Sequence, residues 1–383
     1  MFVLSSTRLA VLACFLLITY ESFAQTVTLT PAPVFKDELG VVSAKIIGFG
    51  QADIAIQDND SVDHPSGSTI RRARLGVAGK IDTQWGYKFL HEFGNNNSPS
   101  LQDLFITHKN QNGATVKFGQ FKEPVGLEWQ SGSPNWTFLD LPLSHSIAVG
   151  RAVGVARQQY FGGLRVNAGL FGENSNKTRT DTEAVSTTVH SSYQFKKQGG
   201  HAHIGLSLSY RLPDEESESL AFKSKHETAT TVSPSLNSTV AEVDSSTLVG
   251  LEGLWISGPI LIQGEWLQRA ISRQTGSEDT DVSAWYITGS YTLDGTRGFN
   301  SAKHGFKKTT AGAVEVALRI ESLDLDDDAI AGGTLDRHTL GVNWYAHKAI
   351  RMSLNIISVN TNSRAAIPND SSKAMVFRGQ FAF

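Results

Sequence analysis

Ile350-Arg351-Met352-Ser353-Leu354-Asn355-Ile356 alternates apolar and polar residues at every step. A period of two with one apolar face is the mark of a half-buried strand. Working outward, the alternation recurs along the chain. Ile46, Gly48, Ala52, Ile54 and Ile56 oppose Gln51 and Asp53; Ala73, Leu75 and Val77 oppose Arg72, Arg74 and Lys80. Leu164, Val166, Ala168 and Leu170 oppose Arg165 and Asn167, and Val314, Val316, Leu318 and Ile320 oppose Glu315, Arg319 and Glu321. About sixteen such segments fill residues 41–383.

The connections alternate short and long. Short turns fall near 82–84, 110–113, 161–162, 197–200, 257–258 and 346–348; long loops fall near 57–69, 94–100, 122–152, 172–184, 212–245, 271–280, 324–334 and 361–372. Turns on one face and loops on the other predict an all-β fold, a transmembrane antiparallel β-barrel of about 16 strands. A barrel satisfies every backbone N–H and C=O within a bilayer. One connection, 294–309, is long yet falls on the short-turn side. Trp85, Tyr87, Trp255, Trp266, Trp285, Tyr291, Trp344, Phe377, Phe381 and Phe383 take outward positions, several near strand ends, as membrane-interface girdles require.

Residues 1–24 read as a signal peptide: Arg8, the apolar stretch 9–18, and Ser22-Phe23-Ala24 as a cleavage site. Residues 25–40 are expected to form a periplasmic N-terminal segment and 41–383 the barrel, in a bacterial outer membrane. Cys14, the one cysteine, falls in the signal. Beyond it no apolar run approaches the roughly 18 residues of a membrane helix. The net charge of −3 argues against a nucleic-acid partner. Neither His203 with Ser207 nor His338 with Ser353 carries a hydrolase motif, so no catalytic residue is expected. In 324–328 the calcium-loop pattern fails at Ala329 and Leu335, so neither metal nor cofactor is expected.

Assigning each polar face to the lumen places Arg72, Arg74, Lys80, Lys88, Lys109, Lys117, Arg165, Arg211, Arg269, Arg319, Arg351 and Arg378 there. They outnumber Asp53, Glu92, Asp103, Glu252, Glu265, Glu315 and Glu321. A pore with low-dielectric walls focuses such an excess and favours anions, although some of these charges will pair across the barrel. The third exterior loop, 122–152, carries three prolines, two tryptophans and many apolar residues. It is expected to fold into the lumen, with Lys122 and Arg151 as constriction charges.

These segments resemble the phosphate-selective porin O and P family. The matches are Arg71-Arg72-Ala73-Arg74-Leu75-Gly76-Val77, Gly119-Gln120-Phe121-Lys122-Glu123-Pro124-Val125-Gly126-Leu127-Glu128 and Val149-Gly150-Arg151-Ala152-Val153-Gly154-Val155. Others are Tyr286-Ile287-Thr288-Gly289-Ser290-Tyr291, the stretch 312–325 with Thr339-Leu340-Gly341-Val342-Asn343-Trp344-Tyr345, and the closing Phe377-Arg378-Gly379-Gln380-Phe381-Ala382-Phe383. The resemblance implies a homotrimer of sixteen-stranded barrels in lipid and lipopolysaccharide, passing small anions with phosphate as the candidate. It implies a periplasmic turn folded into the lumen, which would suit 294–309. It matches Arg71 and Arg72 to the pore arginines and Lys122 to the constriction lysine. With Arg74, Lys88, Arg151, Arg165, Arg211, Arg319, Arg351 and Arg378 they form the expected anion pathway.

One departure stands out. The family's fifth exterior loop brings a run of arginines, whereas here Arg211 is followed by Asp214, Glu215, Glu216 and Glu218. Acid at the mouth repels anions over roughly 8 Å at physiological ionic strength. A general porin, and a structural or adhesive barrel, remain open alternatives.

Overall fold

The computed structural model describes residues 26–28, 32–58, 64–94, 99–177, 182–197, 200–215, 218–224, 227–228, 230, 235–300, 305–306, 309–362 and 369–383; the expected signal segment lies outside them. The barrel strands are β1 (Ser43–Asp58), β2 (Gly67–Lys80), β3 (Trp85–Glu92), β4 (Ser100–Lys109), β5 (Thr115–Lys122), β6 (Arg151–Phe161), β7 (Leu164–Phe171) and β8 (Val185–Lys197). They continue as β9 (Gly200–Leu212), β10 (Val243–Ser257), β11 (Ile260–Arg273), β12 (Thr280–Leu293), β13 (Val314–Asp327), β14 (Ile330–His347), β15 (Ile350–Asn362) and β16 (Asp370–Ala382).

Each strand pairs antiparallel with the next, and β16 returns to β1 with Phe377 opposite Ile54. The ring therefore closes and leaves no strand edge to be satisfied by water. Two short strands, Thr26–Thr28 and Val34–Lys36, extend the sheet at the start of β1, Val34 opposite Lys45. They lie beyond the point where Phe383 N–H donates to the Gly48 carbonyl.

Exposure follows the alternation in an inside-out sense. Leu318 is 49% and Trp344 50% exposed, while Arg319 is 0%, Glu321 1% and Arg378 1%. Charged residues inside and apolar ones outside is the order a lipid surroundings selects, and a soluble sandwich would reverse it. The turns are locally encoded. Asp82 Oδ1 accepts from the N–H groups of Gln84 and Trp85, and Gly162 and Gly258 supply the positive φ their hairpins need.

Three features depart from strict alternation. Gln51 pairs with Arg72 and Ala52 with Ile70, so Arg71 is the extra residue of a β-bulge and turns to the same side as Arg72. The expected loop 324–334 is instead mostly strand, because β13 runs to Asp327 and β14 resumes at Ile330. There the pattern inverts: Leu323, Leu325, Leu335, Ile357 and Val359 are buried while Asp324 and Asp336 face out.

The inversion has a cause. The fifth exterior connection carries a hairpin, Leu220–Ser224 with Leu236–Val240, whose Phe222, Leu236 and Val240 join one apolar cluster with those strand residues. Leu139, Leu143, Ile147 and Val149 of the third connection complete it. Above the membrane the outside is water, so the apolar face must turn inward.

The long connection on the short-turn side reaches inward as well. Arg297 donates to the Asn135 carbonyl at 2.9 Å and to Tyr345 Oη at 2.6 Å. Phe299 and Phe306 pack with Leu127 of the third connection and with Leu254, Ile256 and Leu261.

Leu318 sits mid-way in the outward run Val316, Leu318, Ile320. Leu318→Arg is expected to lower folding stability by about 2–4 kcal/mol, the cost of a cation at the bilayer midplane. Denaturant unfolding from lipid vesicles measures this, with Leu318→Phe as a near-neutral control.

Candidate functional site

Inward-facing polar side chains at strand spacing crowd the barrel interior, where few waters can solvate them. Each charge therefore needs a fixed partner. The eleven cations expected to form the pathway fall into three groups.

The first group gathers at one cavity of about 420 Å³. Arg71 and Arg72 converge on Asp140 at 2.7 and 3.0 Å, the bulge having aimed both at one carboxylate. Burial opposes ionisation of Asp140, yet these two guanidinium groups hold its carboxyl well below the usual range. Arg72 also donates to Gln51 Oε1 at 2.8 Å and lies 5.1 Å from the Trp136 ring. Arg74 pairs with Glu92 at 2.6 Å. Lys122 donates to the carbonyls of Trp129 and Ser131 and sits 4.4 Å over the Trp129 ring. Arg151 binds Asp103 at 2.9 Å, sharing that carboxylate with Lys88 at 2.6 Å. Lys88 does not line the cavity itself.

A second group is buried and bonded to the third connection. Arg378 holds Asp53 through two bonds of 2.6 Å and donates its remaining amino group to the Leu139 carbonyl. Arg351 donates to the Trp136 carbonyl. Arg319 binds Glu321 at 2.8 Å and Glu227 at 3.1 Å, and donates to the Asp140 carbonyl at 3.2 Å. Gln380, Asn343 and Arg337 take the carbonyls of Pro134, Thr137 and Leu141. With Arg297 on Asn135, seven carbonyls between 134 and 141 are gripped by inward donors. Arg319, Arg351 and Arg378 are at most 3% exposed, so water in the cavity does not reach them.

The two remaining cations lie apart. Arg165 is buried and donates twice to Gln158. Arg211 faces Glu123 at 3.9 Å and Glu173 at 3.7 Å, in a separate cavity of about 450 Å³.

Among the Lys, Arg, Asp and Glu residues of the first cavity wall, sequence reading missed four: Asp140, Lys223, Glu227 and Arg337. Arg337 was within reach, since its parity with Leu340 and Val342 puts it inward; the expected loop at 324–334 hid it. Asp140 and Glu227 sit in irregular parts of exterior connections, where no periodicity applies, and Lys223 stands on a short hairpin strand of the fifth connection. The expected lumen census also omitted the carboxylates of Glu123, Glu128, Asp140 and Glu227, which narrow the positive excess. Lys80 and Lys109 are exposed at strand ends.

His145 stacks on Trp129 at 4.2 Å, and burial, followed by the nearby Lys122 ammonium, pushes its imidazole down to about 4. The ring is neutral at pH 6 and gains charge only as pH falls towards about 4, while Asp140 stays ionised. Anion preference is expected to rise as pH falls from 6 towards 4, measured as reversal potential, with His145→Gln removing the component centred there. Separately, Arg378→Met strands Asp53 and frees the Leu139 carbonyl. The expected loss is about 3–5 kcal/mol in equilibrium unfolding, the usual result of breaking a buried ion pair.

The family described as phosphate-selective porin O and P matches residues 46–383. Porin O of Pseudomonas aeruginosa is 24% identical over 454 aligned positions, covering 100% of this chain and 98% of that protein. Among solved structures, the outer membrane channel DcaP of Acinetobacter baumannii gives a TM-score of 0.58 at 12% identity, covering 91% of this chain and 99% of that one. OmpT of Vibrio cholerae in its trimer form gives 0.58 at 12% identity, covering 89% and 99%. Identity that low speaks for the fold alone. The family match spans nearly the whole barrel, and the chain therefore belongs to the phosphate-selective porin O and P family of bacterial outer-membrane porins.

Proposed function

We propose that this porin passes small anions by passive diffusion, with the third exterior connection lying in the lumen as the constriction and phosphate as the candidate solute. The observation that carries the reading is the composition of the 420 Å³ cavity wall. Seven Lys or Arg side chains there meet the carboxylates of Glu92, Asp140 and Glu227. Confined between low-dielectric walls, that excess raises the local concentration of anions. A planar donor fork matches two phosphate oxygens at once, which favours arginines such as Arg72 and Arg74 for this solute. The name of the family points the same way.

The inward bonds to carbonyls 134–141 support the placement of the third connection. A homotrimer is part of the proposal, supported by the trimer form of OmpT. So is contact of the acidic tip at Asp326, Asp327 and Asp328 with the lipopolysaccharide layer. A general porin is the second reading, favoured by the carboxylates that neutralise Arg71, Arg72, Arg74 and Lys88.

Planar-bilayer recording in a KCl gradient should give a reversal potential of the anion-preferring sign. A cation-preferring sign overturns the reading. Millimolar phosphate should then reduce chloride current, and Lys122→Ala or Arg72→Ala should relieve the block. Anion preference without any block leaves the general porin.

A further inference from the structure

Glu227 projects from the fifth exterior connection into a set of donors supplied by other elements. Its Oε1 accepts from the Asp140 backbone N–H at 3.1 Å and from Asn355 Nδ2 at 3.0 Å. Its Oε2 accepts from Arg319 Nη2 at 3.1 Å and from Thr339 Oγ1 at 3.0 Å. Two donors for each oxygen, one of them a guanidinium, fit a planar carboxylate. Spherical chloride presents no such pair of acceptors.

Arg319 and the strand backbone that carries Thr339 and Asn355 are held in place without Glu227. Arg319 is fixed by Glu321 at 2.8 Å, by the Asp140 carbonyl at 3.2 Å and by the Phe138 ring at 4.6 Å. Thr339 and Asn355 stand on β14 and β15, deep in the barrel sheet. The hairpin carrying Glu227 is anchored elsewhere, by Phe222, Leu236 and Val240 in the apolar cluster. Glu227 is buried yet lines the 420 Å³ cavity, so removing its side chain would open the seat to that cavity.

We propose that Arg319, Thr339, Asn355 and the Asp140 N–H form a binding site for the carboxylate group of a small organic acid, and that Glu227 is its tethered competitor. A ligand on a short tether acts at an effective concentration in the millimolar range, so a free carboxylate displaces it only at comparable concentration. The site adjoins the cavity lined by Arg72, Lys122 and Arg151, and none of these three donates to Glu227 in the bonds that define it. Only the route by which a ligand arrives depends on the anion-channel reading.

The test empties the seat. Glu227→Ala protein in detergent is titrated with sodium propionate by calorimetry at constant ionic strength, beside wild type. The variant is expected to bind propionate at least about tenfold more tightly than wild type, sulfate and chloride not substituting. Adding Asn355→Ala should abolish the gain. Equal propionate affinity in variant and wild type, or sulfate binding as tight as propionate, overturns the proposal. If the variant does not fold, its refolding yield with excess propionate is compared with that in chloride. Rescue by propionate alone supports the site, and equal yields overturn it. Propionate binding by a channel that proves cation-preferring would support the site while refuting the anion-channel reading. An anion-preferring channel whose emptied seat ignores propionate would do the opposite.

Discussion

Closure of the strand ring in lipid sets the terms for everything inside it. The backbone is satisfied by its neighbours, the outer face must be apolar, and all polar side chains are left to the interior. There a guanidinium without an acceptor is expensive. Arg378, Arg351, Arg319 and Arg337 find their acceptors partly in carboxylates and partly in the backbone carbonyls of the third connection. The path of residues 134–141 thus follows from the needs of arginines on β13 to β16. Those arginines hold this segment of the third connection, and apart from Arg337 the cations lining the cavity stand on β2, β5, β6 and the connections.

The same chain is two materials along its length. Within the membrane span it is apolar outside and charged inside, as at Leu318 and Arg319. Above it the strands of the β10 to β16 side reverse, burying Leu323, Leu325 and Leu335 against the hairpin of the fifth connection. That exterior core resembles the interior of a soluble protein and places Glu227 within reach of Arg319. A carboxylate from the acidic fifth connection thereby reaches the lumen as an ion-pair partner, a role unlike that of acid at an open mouth.

Strand existence, barrel closure and the inward direction of Arg72, Asp53 and Glu92 were legible because period-two alternation is a local property of each segment. The turn at Asp82 was legible for the same reason. Arg71 was not, because its direction depends on a bulge defined only by pairing with Gln51 and Ala52. Arg351 and Arg378 were read correctly as inward, yet inwardness did not say whether water or a carbonyl awaited them. The reversal at Ser322 was invisible because it depends on what fills the barrel at that height.

By itself the sequence determined an outer-membrane barrel with a charged interior, since hydrophobic alternation and connection length are written residue by residue. Only the tertiary structure decided which charges are spent and which remain for a solute. That partition is made by Asp140, Glu227 and the carbonyls of 134–141, which approach the strands from connections tens to hundreds of residues away. Electrostatic pairing depends on distance in space, and nothing in the local pattern of a strand encodes the segment that folds against it.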